Sequence, residues 1–251
     1  MSKTSFSFLT SLNDAPSRTR TYSGASHVFP AKVVERYFAS DRLTDRFVRA
    51  LVDGHAIRWK EILESFEFFY QTRKYLRRSS MADVCCGHGL IGILFALLEE
   101  KVEEVRLADT KIPPKLPSIL DIAIRLGPWV KEKVRVSEEE IEELRPQLSP
   151  ETAVVSAHGC GSLTDQALDL AIVVDGPVAV MPCCCHPRSP DAPAILYREF
   201  GGKDGVDIHR TYRLNEAGYE VLWKYIPEDI TPMNRIIMGT KKDAAASDSG
   251  K

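Results

Sequence analysis

The sequence predicts an α/β protein: a doubly wound, largely parallel sheet with helices on both faces, preceded by a helical extension. Three observations predict it. From residue 79 onward, short apolar runs alternate with helical stretches, and repeated βα units imply a parallel sheet covered on both sides. The last two apolar runs, Tyr219–Tyr225 and 235–239, have no helix between them, which implies an antiparallel hairpin at one edge. Ahead of residue 79, apolar residues recur at helical spacing instead.

Residues 1–29 are expected to be a disordered N-terminus. They are rich in Ser and Thr, carry Arg18 and Arg20, and lack the apolar core of a secretory signal. Their scarcity of acids leaves an organellar transit peptide open. Residues 30–78 form the helical extension. Its stripes are Val33, Val34, Tyr37 and Phe38, then Phe47, Val48, Leu51 and Val52, then Trp59, Ile62, Leu63 and Phe66. Gly54 separates the last two helices. Such stripes cannot be buried alone, so the helices should pack on the core or cap its ligand cleft. Arg73, Lys74, Arg77 and Arg78 close the extension, either as a solvated helix end or as a phosphate-contacting patch.

The main domain is expected over residues 79–242. Residues 81–85 read as its first strand and 90–100 as the following helix. A second strand spans 104–108. Pro113, Pro114 and Pro117 open a helix that Gly127-Pro128 stops. A short third strand covers 133–136, and Ser137-Glu-Glu-Glu140 has capping-box spacing for the next helix. The fourth strand is read over 152–157 with its helix over 162–172, and the fifth over Val178–Met181. Gly201, Gly202 and Gly205 suggest a loop before a last helix over 207–217. Residues 243–251 read as a disordered tail.

The chain is organised around Met81-Ala-Asp-Val-Cys-Cys-Gly-His-Gly-Leu-Ile-Gly92. This reads as strand, glycine turn and helix. Glycine keeps the turn's backbone open to a ligand, and the helix start offers free N–H groups and a positive dipole end. Asp109 ends the second strand 20 positions past Gly89. An acid there can accept hydrogen bonds from both ribose hydroxyls of an adenosine.

The turn is an acid, Asp83, followed by a loose glycine-rich stretch with Cys85 ahead of its glycines. It resembles the first motif of class I S-adenosylmethionine-dependent methyltransferases. The resemblance covers roughly residues 79–241. It implies a Rossmann-like seven-stranded sheet in the order 3-2-1-4-5-7-6 and S-adenosylmethionine as cofactor. Asp83 would hold the methionine end and Asp109 the ribose. Cys85, Gly87, Gly89, His158 and Cys160 complete the expected cofactor site.

All six cysteines, with His88, His158 and His186, fall just past the first, fourth and fifth strands. Under the implied order these strands are neighbours, and ligands bind at the carboxyl ends of such strands. Three readings stand side by side. The thiols are packing groups behind a ligand, or Cys and His form a soft-metal site, or one thiol or imidazole acts in the reaction. No metal-ligand spacing of the C-x₂-C type is present, so no metal is expected. His158 and His186 are the base candidates, with Cys183 beside them.

The blocks Ala157-His-Gly-Cys-Gly-Ser-Leu-Thr-Asp165 and Met181-Pro-Cys-Cys-Cys-His186 resemble the H-x-C-G-x-x-T-D and C-C-H elements of a narrower methyltransferase branch. That branch includes tRNA 2′-O-methyltransferases acting on the acceptor stem. The resemblance implies an RNA acceptor. A small molecule or protein acceptor is the alternative within the class, and a catalytically silent adenosyl-binding module the alternative outside it. Thr164 and Asp165 can also be read as the polar first turn of a helix, and Thr231-Pro-Met-Asn-Arg235 as a turn into the closing hairpin.

Net charge is −2, so no global basic field argues for nucleic acid. No apolar run approaches the ~20 residues of a membrane span. Adjacent cysteines do not make a secreted disulfide framework. A reducing, cytoplasmic setting is therefore expected, with no membrane partner.

Overall fold

The structure, a computed structural model, describes residues 5–15, 31–182 and 192–241. Three helices come first: α1 (Ala31–Tyr37), α2 (Leu43–Asp53) and α3 (Trp59–Thr72). They are followed by β1 (Ser80–Val84), α4 (Leu90–Leu98), β2 (Glu104–Asp109), α5 (Lys115–Leu126), α6 (Val130–Lys133) and β3 (Val134–Glu138). Next come α7 (Ile141–Leu144), β4 (Ala153–Ala157), α8 (Ser162–Val174) and β5 (Val178–Met181). The last elements are α9 (Ala194–Glu216), β6 (Tyr219–Tyr225) and β7 (Arg235–Lys241).

The seven strands form one sheet in the order β3-β2-β1-β4-β5-β7-β6. β1 to β5 pair in parallel, and β7 pairs antiparallel with both β5 and β6. This is the order and the edge hairpin expected from the sequence. Alternate strand residues serve opposite faces. Met81, Val105, Leu107, Val155 and Met181 join a core that also holds Phe47, Phe66, Phe69 and Phe95. Ala82, Val84, Val154, Val180 and Ile237 join the core under α8 and Tyr219.

α4 lies on the first of these faces, against β1 and β2. A Cβ at Gly92 would come within 2.4 Å of Leu107 and 3.0 Å of Val105, so the helix sits closer than any side chain would permit. α3 packs on α4, and the Phe69 and Phe95 rings meet edge to face at 4.8 Å. Arg73 and Arg77 both pair with Glu99, which is buried at the end of α4, Arg77 at 2.8 Å. These two arginines therefore tie the extension to the core.

Four details differ from the sequence reading. Residues 5–15, expected within a disordered N-terminus, pack against α3. Phe6, Leu9 and Leu12 are buried. The buried Glu67 carboxylate accepts the N–H groups of Ser7, Phe8 and Leu9 at 2.9–3.0 Å. β3 runs on through Ser137, which pairs with Ala108, because β2 continues to Asp109 and offers it an edge. The helix start moves accordingly to Glu140, whose N–H donates to the Glu143 carboxylate at 3.0 Å. Finally, α9 absorbs Gly202 and Gly205, and only Gly201 (φ +75) breaks its helical course. A Cβ at Gly205 would sit 2.6 Å from the Leu196 carbonyl oxygen, so this glycine serves a close approach and not a loop.

Gly92→Ala is expected to lower stability by about 1–3 kcal/mol through overpacking. Urea denaturation with an unchanged m-value would register it as a lower midpoint. An unchanged midpoint would show that α4 can back away from the sheet.

Candidate active site

β1 leaves the sheet in a run of left-handed backbone: Cys85 at φ +53, Gly87 at +52 and Gly89 at +69. The Cys86 N–H donates to the Ala108 carbonyl at 3.1 Å and the Gly89 N–H to that of Cys86 at 2.8 Å. These bonds fold the turn over the end of β2. A Cβ at Gly87 would meet nothing within 4 Å, so open space lies above the turn. Asp109 faces the turn from β2, and its Oδ2 accepts the Gly87 N–H at 2.9 Å. Asp83 points to the face that α4 covers, where its Oδ2 accepts the Gly92 N–H at 2.9 Å.

The second wall is the segment after β4. His158 has a left-handed backbone, φ +67, and its N–H donates to the Met181 carbonyl at 3.0 Å. Its Nε2 lies 3.2 Å from Oε2 of Glu64, a residue of α3 whose side chain is only 3% exposed. Lys60 Nζ pairs with the other Glu64 oxygen at 2.9 Å. His88 lies close enough to feel the charges of Glu61, His158 and Glu64. Cys160 is exposed, and near enough to Cys85 to act on its ionisation. The glycine turn, His158 and Cys160 thus lie near one another. Cys183, Cys184, Cys185 and His186 lie outside the described residues. Among the described residues, no cluster of three or more His, Cys, Asp or Glu is arranged to hold a metal ion.

Thr164 and Asp165 do not cap α8. The Thr164 hydroxyl donates to the Gly159 carbonyl. Asp165 takes a two-pronged grip from the buried Arg210, with Nε to Oδ1 at 3.0 Å and Nη2 to Oδ2 at 2.9 Å. Nη2 of the same guanidinium also reaches the Gly161 carbonyl at 3.1 Å, so α9 holds the loop that carries His158 and Cys160. Arg235 then links Asp207 of α9 to β7 at 2.8 Å, lying 4.1 Å over the Trp223 ring. Asn234 is buried and donates to the Ile226 carbonyl at 2.8 Å, so the 231–235 segment is the turn into the hairpin.

Residues 58–188 match the family described as a methyltransferase domain, just over half of the chain. The chain belongs to this methyltransferase family. With the class I sheet order, it is an S-adenosylmethionine-dependent methyltransferase. Among curated proteins, none matches the chain in sequence. A solved protein of Corynebacterium glutamicum is similar in structure at 10% identity and a TM-score of 0.51, covering 84% of this chain and 95% of its own. An SAH-bound methyltransferase of Podospora anserina shows 12% identity and a TM-score of 0.48, covering 88% and 100%. At such identities a likeness speaks for the fold alone. Among the described residues, no helix of the methyltransferase is long and apolar enough to cross a membrane.

The site fits an adenosyl cofactor on its own terms. The space over Gly87 admits a ligand against bare backbone, and the Asp109 carboxylate keeps lone pairs beyond the one that serves Gly87. Burial pushes the Asp83 carboxyl up to about 7, against the pull of the Gly92 N–H, with the charge of Asp109 adding to the rise. Burial also pushes the Cys85 thiol up to about 11 and that of Cys86 further still. Both stay protonated near neutral pH, which suits pocket walls and not nucleophiles. Burial lowers the pKa of His88.

Glu64 is the residue that sequence reasoning missed. Its only signal was an acid, with Glu67 three positions on, inside the most apolar stretch of the extension.

The raised Asp83 carboxyl gives a pH signature. The folded protein binds this proton more tightly than the unfolded chain. The group's contribution to stability is full below about 3.8 and lost as pH rises through about 7. Cofactor-free Asp83→Asn should therefore gain in melting temperature relative to wild type between pH 5.5 and pH 8.5. A constant difference across that range would mean that Asp83 is already ionised at the lower pH.

Proposed function

We propose that this methyltransferase methylates a hydroxyl group of an RNA, with His158 as the base. One observation carries the hydroxyl assignment: an imidazole held against a buried carboxylate, beside the glycine turn. A hydroxyl must lose its proton as it attacks, and a positioned histidine is suited to take it near neutral pH. The RNA assignment is supported by the likeness of the 157–165 and 181–186 blocks to the RNA-acting branch.

In this reading Asp83, Cys85, Gly87, Gly89 and Asp109 hold the cofactor from one side, with His158 and Cys160 opposite. When bound, S-adenosylmethionine supplies an electrophilic methyl group on its sulfonium. Asp109 would accept hydrogen bonds from the ribose hydroxyls. A cation beside Asp83 favours its ionised form, reversing the effect of burial. His158 would take the proton of the acceptor hydroxyl, while the cofactor would give up its methyl group and keep the electron pair of the broken carbon–sulfur bond on sulfur. Alignment of the two reactants is the protein's main contribution to such a displacement. Cys183 and His186 follow β5 in sequence and belong to the same proposal, as pocket wall and second imidazole.

Asp109→Ala should weaken S-adenosylmethionine binding by ~2–4 kcal/mol, measured by calorimetry. Equal affinities would remove Asp109 from the ribose site. For the acceptor, the purified protein is incubated with methyl-labelled S-adenosylmethionine and separated RNA, protein and metabolite fractions. Label should enter RNA as an O-methyl nucleoside, and His158→Gln should slow its entry by ~10²–10⁴-fold. Label confined to protein or metabolites would reassign the acceptor.

A further inference from the structure

The methyltransferase sheet supplies His158, but the group that holds its ring comes from outside the sheet. Glu64 lies on α3, in the helical extension, and its side chain is 3% exposed. Its neighbours Leu63, Ser65 and Phe66 are buried as well. An apolar residue there would bury without the cost of desolvating a carboxylate. The carboxylate nevertheless stands within bonding distance of two groups, Lys60 Nζ at 2.9 Å and His158 Nε2 at 3.2 Å. His158 is held from below too. Its backbone occupies the left-handed region, which few side chains adopt and which tends to recur at active sites. The bond from its N–H to Met181 fixes that conformation. The side chain stays 40% exposed, although its Nε2 is gripped. The charged and titratable groups around the pair are Lys60, Glu61 and His88.

From this geometry we propose that Glu64 is a positioning residue. It fixes the His158 ring with a proton on Nε2 and leaves Nδ1 as the nitrogen that receives the acceptor's proton. The hydrogen bond made by one ring nitrogen sets the role of the other. The helical extension is then part of the active site, since α3 carries the carboxylate that orients the imidazole. The proposal rests on the reading of His158 as the base, and its main test does not depend on the acceptor.

That test is a long-range proton–nitrogen correlation spectrum of full-length protein carrying ¹⁵N-histidine, with His158→Gln to assign the signal. At alkaline pH the wild type should show the Nε2-protonated tautomer of His158. Glu64→Ala should convert it to a mixture of tautomers. Glu64→Gln keeps the shape of the side chain and an oxygen that can accept the bond, so it should retain the wild-type tautomer and serve as the variant that folds. With labelled donor and the RNA fraction, Glu64→Ala should lower kcat by up to ~10²-fold, the scale of a misplaced catalytic group, with little change in KM for the cofactor. An Nδ1-protonated ring in the wild type, or a spectrum that Glu64→Ala does not alter, overturns the proposal. A tautomer that responds to Glu64 while His158→Gln transfers methyl at the full rate overturns the base reading instead, and leaves only the contact.

Discussion

The close approach of α4 to β1 and β2 governs the site. It is possible because position 92 carries no side chain and Leu107 and Val105 fill that space. With the helix this near, the Gly92 N–H reaches the Asp83 carboxylate at 2.9 Å, and the acid can be buried at the end of β1 with a partner. The chain must then turn from strand to helix in very few residues, which calls for left-handed backbone at Cys85, Gly87 and Gly89. That tight turn leaves the backbone bare beside Asp109. An acid, an open turn and a second acid are thus consequences of one packing distance.

The outer side of α4 has a second consequence. α3 lies on it, with Phe69 against Phe95 and two arginines clasping Glu99. This fixes the height and rotation of α3, and so decides that Glu64 meets His158. Further along α3, Glu67 collects three backbone N–H groups from residues 7–9, and Phe8 stacks on Phe66 and Tyr70. Burial raises the Glu67 pKa while these three bonds lower it. Two acids of one helix therefore face different tasks, one binding a segment of the chain and the other an imidazole.

On the opposite face of the sheet, charge does the fixing. Asp165, Arg210, Asp207 and Arg235 form a continuous series from α8 through α9 to β7, the first three buried and Arg235 half-buried. Its members hold one another's charges in a place where any of them alone would be costly. Through Gly161 the series also grips the loop that carries His158. The loop is thereby held from α9 on one side and from α3 on the other.

What the sequence by itself determined is what local pattern and turn chemistry control. The alternation of strand and helix, the edge hairpin, the glycine turn with Asp83 and Asp109, and the gathering of His158 and Cys160 near that turn could all be read from spacing and family likeness. Strand ends were off by a residue or two, since partner strands decide where pairing stops, as β2 does for β3. The tertiary structure alone decided which polar groups meet. Glu64 lies 94 positions from His158, Asp165 lies 45 from Arg210, and Glu67 lies 60 from Ser7. In sequence each reads as an ordinary charge on a helix or as a capping residue. Only folding removes water from these groups and forces each to find a partner, and that pairing ties the helical extension to the loop after β4.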